Sequence, residues 1–324
     1  VLNNKELVNL QKIVGLEIGK EYKNTDSLRY GKIKIMADQD YDGFHICGLF
    51  MNIFHVLWPS LFSLDGFITS MSTPIVKISR KSEQIAFYSL KDYDEWKDGT
   101  EDSEKWSVKY YKGLGTSTAA EAREYFKENR ETRYNFQDSS PEALVLAFHP
   151  KKTTERKQWL REYDPSNYLD ENLQDVSYDD FINKKLIQFS NSDNHRSIPS
   201  MVDGLKPSQR KVLYACFKRN LKKEIKVAQF SGYVAEHSGY HHGEASLHST
   251  IINMAQDFVG SNNINLLMPI GQFGTRLNGG SDSASPRYIS TCLNSIAPII
   301  FPTQDQAILS YLEDDGLLIE PKYY

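Results

Sequence analysis

The sequence predicts an α/β domain followed by a mainly helical one, on three observations. At 324 residues the chain is longer than one typical domain. Near its start, polar and apolar residues alternate over Gly31–Met36 and lead into an acidic turn and a long apolar run, the pattern of strand, turn and helix. Far downstream, a basic segment with apolar residues at helical spacing and a series of Gly-containing turns mark a second unit. A hydrophobic content of 40% with 25% charged residues excludes a disordered chain. The net charge of -4 carries no global sign of a nucleic-acid binder, so any such signal must be local. Cys47, Cys216 and Cys292 are scattered without metal spacing, which fits a reducing compartment and no disulfide framework.

Leu10-Gln11-Lys12-Ile13-Val14-Gly15 predicts a short helix ending at its glycine. At the carboxyl end of the 31–36 strand stands Asp38-Gln39-Asp40-Tyr41-Asp42-Gly43, where open α/β sheets place their sites. Three carboxylates on alternate residues offer the oxygen ligands a hard cation such as Mg²⁺ takes. The plain alternative is an exposed acidic turn. An EF-hand is excluded because its twelfth position is Leu49 rather than Glu, and a strand precedes the loop. The apolar run Ile46–Phe62, broken by His55 and Pro59, is too short for a bilayer and predicts a buried helix, with no membrane partner.

A second strand is predicted over Thr73–Ile78, then a helix and loop over Asp92–Lys105. Lys109–Thr118 runs into a helix over Ala119–Arg130, with Thr118 as N-cap and Glu121 completing a capping box. The Gly113-Leu114-Gly115 turn lacks the Gly-Lys-Ser/Thr ending of a nucleotide P-loop, so ATP binding here is excluded. Residues 1–150 are expected as the first domain and 151–190 as a charged helical connector, with the boundary in Asp164–Val176. Residues 191–324 are expected as the second domain.

Between Lys206 and Lys226 the only acid is Glu224, against Arg210, Lys211, Lys218, Arg219, Lys222 and Lys223. Such density reads as a phosphate-binding surface or as a solvated cationic face. In Tyr240-His241-His242-Gly243-Glu244 the adjacent imidazoles diverge and lack a fourth ligand, which argues against zinc. They read as phosphate hydrogen-bond donors or as a structural pair. Last comes Asp282-Ser283-Ala284-Ser285-Pro286-Arg287-Tyr288. A phenol titrates near ~10 and needs a base or nearby positive charge to attack at neutral pH. Arg287 offers a planar fork for phosphate oxygens. Alone, Arg287-Tyr288 is an aromatic beside a surface arginine; the acidic cluster and basic segment upstream make it a candidate nucleophile against a phosphodiester.

The acidic triplet after a strand, paired with Tyr111-Lys112-Gly113-Leu114-Gly115-Thr116, resembles the Toprim metal-binding domain of type II DNA topoisomerases. Arg196–Pro207, Tyr240–Glu244, Phe258–Asn263, Pro269–Arg276 and Asp282–Tyr288 resemble, in order, the winged-helix cleavage domain of the family's eukaryotic members. The resemblance covers nearly the whole chain and implies a Rossmann-like parallel sheet followed by a mainly α winged-helix (helix-turn-helix) domain. It implies an ATP-dependent, nuclear, homodimeric enzyme that cuts duplex DNA through a 5′-phosphotyrosyl link and passes a second duplex. Tyr288, Arg287, His242 and Arg196 would be catalytic, and Asp38, Asp40 and Asp42 would hold Mg²⁺, with Mn²⁺ or Ca²⁺ as substitutes. Lys206, Arg210, Lys211, Lys112, His241, Gln272 and Arg276 would contact double-stranded DNA.

Phe44 and Cys47 depart from the Ser and Lys usual in that family's eukaryotic members. The family's Glu-Gly-Asp-Ser-Ala motif, with its catalytic Glu, is expected to lie ahead of Val1, and the ATP-binding domain outside the chain. The segment alone is therefore expected to bind DNA weakly and to lack strand passage. A non-catalytic DNA-binding module and a Toprim nuclease are the other functions these residues allow.

Overall fold

The computed structural model describes residues 3–111, 113–314 and 316–324, which form two units, residues 1–192 and 193–324. The first opens with α1 (Lys5–Val14), capped by the Asn4 side chain, which accepts from the Glu6 and Leu7 N–H groups. Gly15 ends it at φ 85°, a left-handed conformation that glycine adopts without steric cost. There follow β1 (Ile33–Ile35), α2 (Tyr41–Leu57), α3 (Pro59–Phe62), β2 (Ile68–Met71), β3 (Val76–Arg80) and β4 (Glu83–Phe87). Next come α4 (Leu90–Gly99), β5 (Ser107–Tyr110), α5 (Ala119–Glu128), β6 (Glu131–Asn135), α6 (Ser140–Phe148) and α7 (Thr153–Arg161). The unit closes on β7 (Asp175–Ser177), α8 (Tyr178–Asp180) and a π-helical turn, Phe181–Leu186, that continues into α9 (Ile187–Ser197).

The main sheet has the order β1-β2-β6-β7. Its β1–β2 and β6–β7 pairs are parallel, as expected, but β2–β6 is antiparallel, so the sheet is mixed. Between β2 and β6 the chain makes no single crossover helix. It builds a separate antiparallel sheet, β4-β3-β5, and returns through α5 in the opposite sense. β3 begins at Val76, later than predicted, because Pro74 has no N–H for a ladder. Thr118 and Glu121 form the predicted capping box in both directions.

The core of this unit lies between α2 and the sheet: Met51, Phe54, Trp58, Phe62, Phe67 and Ile68 are all at most 2% exposed. Tyr178 stacks on Phe62 at 4.2 Å and Phe181 meets Tyr134 edge-on at 5.4 Å. Each such aromatic pair adds about 0.5–1.5 kcal/mol beyond its burial. The expected connector is therefore part of the first unit, and the boundary stands at Ser192/Asp193 rather than within Asp164–Val176. Charged composition misled there because the charges pair internally: Lys185 bonds Glu171 at 2.6 Å and Arg133 grips Asp175 through two nitrogens.

In the second unit, α10 (Pro207–Arg219), β8 (Ile225–Lys226), α11 (Val227–Ser238) and α12 (Glu244–Ala255) enclose a core containing Val212, Cys216, Phe230, Val234, Leu247 and Ile251. α11 and α12 are joined through Gly239 at φ 57°, giving the expected helix-turn-helix. A long irregular segment then leads to β9 (Ser290–Thr291), which pairs antiparallel with β8. α13 (Ala297–Ile300) and the hairpin β10 (Tyr311–Asp314)–β11 (Leu317–Pro321) complete it.

Candidate functional site

The acidic turn sits where β1 delivers the chain to α2. Asp40 is the N-cap of α2: its Oδ1 accepts from the Gly43 N–H at 2.7 Å. The Oδ1 of Asp38 accepts from the Leu114 N–H at 2.7 Å, which brings the Gly113-Leu114-Gly115 turn against it. Gly113, at φ 147°, is required there, because a Cβ would lie 2.8 Å from the Asp38 carboxylate. Lys112 lies outside the described residues.

Among the described residues no three His, Cys, Asp or Glu side chains gather as a metal site. Asp38, Asp40 and Asp42 therefore do not converge as the sequence suggested, because Asp40 turns back to cap its own helix. Asp38 and Asp40 are exposed hard-oxygen donors, right in chemistry for Mg²⁺ but incomplete in number. Phe44 packs on the core beneath the Lys185 ammonium, 4.9 Å from its ring centroid. Burial pushes the Cys47 thiol up to about 11 against the opposing pull of Lys185, so position 47 holds a buried, inert thiol.

In the second unit, Arg196, Lys206, Lys211, His241 and His242 line one open cleft of about 480 Å³. Arg196 is braced by Asp193 at 3.0 Å, and His241 Nε2 lies 2.8 Å from Asp314 on β10. Lys211 bonds Glu320 at 2.9 Å and the Ser238 carbonyl. Sequence reasoning missed Asp314 and Glu320, which lie 73 and 109 residues from their partners and have no local signature.

Arg210 is a correction. Its side chain is 6% exposed and donates to both oxygens of the fully buried Asp203 at 2.7 and 3.0 Å, and to the Leu205 carbonyl at 3.1 Å. Burial pushes the Asp203 carboxyl up, yet Arg210 and the Leu205 and Tyr324 N–H groups outweigh it and hold the carboxyl below its usual range. A guanidinium so committed is a structural ion pair and has no fork left for DNA.

Tyr288 is 70% exposed and Arg287 is exposed beside it, 6.0 Å from the phenol ring centroid. Neither lines the Arg196–His242 cleft. Their loop is held by its backbone and by residues that never face solvent fully. The Tyr288 N–H donates to Ser285 O at 2.9 Å, and Ala284 N–H to Gln272 O at 2.9 Å. The Asp282 carboxylate accepts from the Thr275 N–H and hydroxyl, both at 2.8 Å, closing the turn that carries exposed Arg276. Gln272, at the other end of this segment, is exposed as well. The Asn278-Gly279-Gly280 turn needs its last glycine: at φ 84°, a Cβ on Gly280 would stand 2.4 Å from the Gln256 side chain.

The comparisons with known proteins follow this division. A family model described as DNA gyrase/topoisomerase IV matches residues 196–324. Another, the C-terminal associated domain of TOPRIM, matches residues 71–194. The chain is 55% identical to DNA topoisomerase 2-alpha of Homo sapiens over 342 aligned residues, covering 100% of this chain and 22% of that protein. To DNA topoisomerase 2-beta of Mus musculus it is 52% identical, covering 100% of this chain and 21% of the relative. It thus spans about a fifth of the length of these curated relatives. Among solved structures, the Plasmodium falciparum topoisomerase II DNA-binding, cleavage and re-ligation domain matches with a TM-score of 0.79 and 49% identity. That match covers 100% of this chain and 45% of that one.

Proposed function

The chain belongs to the type II DNA topoisomerases, and from that premise we propose that a protein carrying it cuts both strands of a DNA duplex, passes a second duplex and reseals the first, with Tyr288 as nucleophile. The Tyr288 oxygen attacks a backbone phosphorus, and the bond from phosphorus to the 3′ oxygen breaks. The phenol gives up its proton, the 3′ oxygen takes one, and the 5′ phosphate remains on the tyrosine. Resealing reverses these steps. The phosphodiester count is conserved, so resealing itself consumes no ATP.

Arg287 holds the phosphate beside the phenol, and Arg196 and His242 offer donors for the charge that develops on it. Lys206, His241, Gln272 and Arg276 meet the duplex backbone. Asp38 and Asp40 are the oxygen donors for Mg²⁺, which supplies Lewis-acid stabilisation of charge on oxygen when bound. ATP binds outside this chain, two protomers each cut one strand, and the enzyme works in the nucleus. The observation that carries the reading is Tyr288 itself: a large aromatic held 70% exposed, next to a guanidinium, on a loop tied down on either side.

The test is denaturant trapping in a full-length protein containing this chain. End-labelled duplex and Mg²⁺ are mixed with the enzyme, SDS is added rapidly, and protein-linked 5′ ends are measured. Wild type gives the adduct and Tyr288→Phe gives none. Metal-dependent cleavage that persists in Tyr288→Phe would instead assign a nuclease.

A further inference from the structure

Lys226 stands where the tyrosine loop meets the N-terminus of α11. The first N–H groups of a helix have no partners within it and must find acceptors elsewhere. Here they find the loop: Val227 N–H donates to Ile289 O at 3.0 Å and Ala228 N–H to Pro286 O at 3.1 Å. Between those two carbonyls lies that of Tyr288, which accepts from the Lys226 Nζ at 2.8 Å. The register explains the reach. Lys226 pairs with Ser290 across β8–β9, so its side chain extends two residues back along the opposite strand.

We propose that Lys226 is a positioning residue for Tyr288, its ammonium fixing the carbonyl of the nucleophile's own residue and so the direction from which the phenol meets phosphorus. This rests on the reading of Tyr288 as nucleophile. The two flanking bonds are main-chain bonds that almost any sequence could make, whereas the central one requires a long donor side chain. With Tyr288 N–H held by Ser285 O, both backbone groups of Tyr288 are committed. The exposed phenol then moves only about its side-chain torsions.

Lys226 also lines a basic cleft of about 700 Å³ with Arg219, Lys222 and Lys223, so a phosphate contact is the competing role. The two roles differ in what they move. Removing a phosphate contact weakens binding and lowers the salt slope by about one. Removing a positioning bond slows the chemical step with DNA already bound, since a small misplacement of a reacting group is costly.

The experiment uses a full-length protein containing this chain, as wild type, Lys226→Met and Lys226→Arg. Single-turnover adduct formation is measured at saturating duplex, and affinity across a salt series. Lys226→Met is expected to slow adduct formation about tenfold, with Kd within about twofold and the salt slope unchanged. Lys226→Arg, which keeps a charged donor, should restore most of the rate. The proposal is overturned if Lys226→Met cleaves at the wild-type rate at saturation. It is equally overturned if only affinity and salt slope change, or if Lys226→Arg is as slow as Lys226→Met. A parallel Tyr288→Phe sample separates the two levels: an adduct surviving there removes the nucleophile reading itself. Lys226 is exposed, and equal thermal melts of the variants would exclude misfolding as the cause.

Discussion

The acidic turn of the first unit and the tyrosine loop of the second both present charged or reactive groups on irregular backbone, but they hold that backbone differently. In the acidic turn the candidate ligands are themselves the fasteners: Asp40 caps α2 and Asp38 accepts from Leu114. In the tyrosine loop, fastening falls to main-chain bonds and to Asp282, while Tyr288 and Arg287 remain at the surface. Function and stability should therefore be coupled in the first region and separable in the second.

Tyr288→Phe tests the separable side, with the largest expected effect. It should abolish the trapped adduct while changing stability by less than about 0.5 kcal/mol, as for an exposed position away from caps and buried pairs. A large drop in the urea midpoint of the 324-residue chain would break the comparison. Arg210→Ala is the opposite extreme. Leaving Asp203 buried without its partner should cost about 3–5 kcal/mol, read as a fall in the same midpoint. If Arg210→Ala left stability intact and only weakened DNA binding, Arg210 would return to the DNA surface.

Asp40→Ala sharpens the coupled side. Loss of the cap should cost about 1 kcal/mol, and the metal dependence of cleavage should weaken in the same variant. A variant that lost only one of the two would show that the carboxylate does not serve both ends. The smallest effect is on pH. The Asp203 carboxyl is held below its usual range, so the stability it adds is complete above about pH 4 and is lost as pH falls through its lower folded value. Melting temperature followed from about pH 5 down to about pH 2.5 should fall more steeply for wild type than for Asp203→Asn.

What was legible in the sequence was local. The strand, acidic turn and apolar helix follow from alternation and composition, and the Thr118–Glu121 box is a four-residue signal that the fold realises. The motif run from Arg196 to Tyr288 identified the family because its residues stand in fixed order along the chain. Contacts across the chain were not legible. Arg210 and Lys211 look like surface cations on a basic helix, and only the fold turns them onto Asp203 and Glu320. The β2–β6 direction depends on the excursion through β3, β4 and β5, which periodicity does not encode. The 151–190 stretch read as a connector because its charges outnumber its aromatics, although Tyr178 and Phe181 anchor it in the core.

The β10–β11 hairpin also sets a timetable. Lys211 leaves the ribosome 109 residues before Glu320, and His241 73 residues before Asp314. At roughly 5–20 residues per second, α10 waits about 5–20 s for the counter-charge of Lys211. Until the hairpin docks, the cleft is a cluster of unmatched cations able to adhere to any polyanion. The acids of the hairpin thus do more than fix side chains in the finished protein: they end a period in which the nascent chain is indiscriminately sticky.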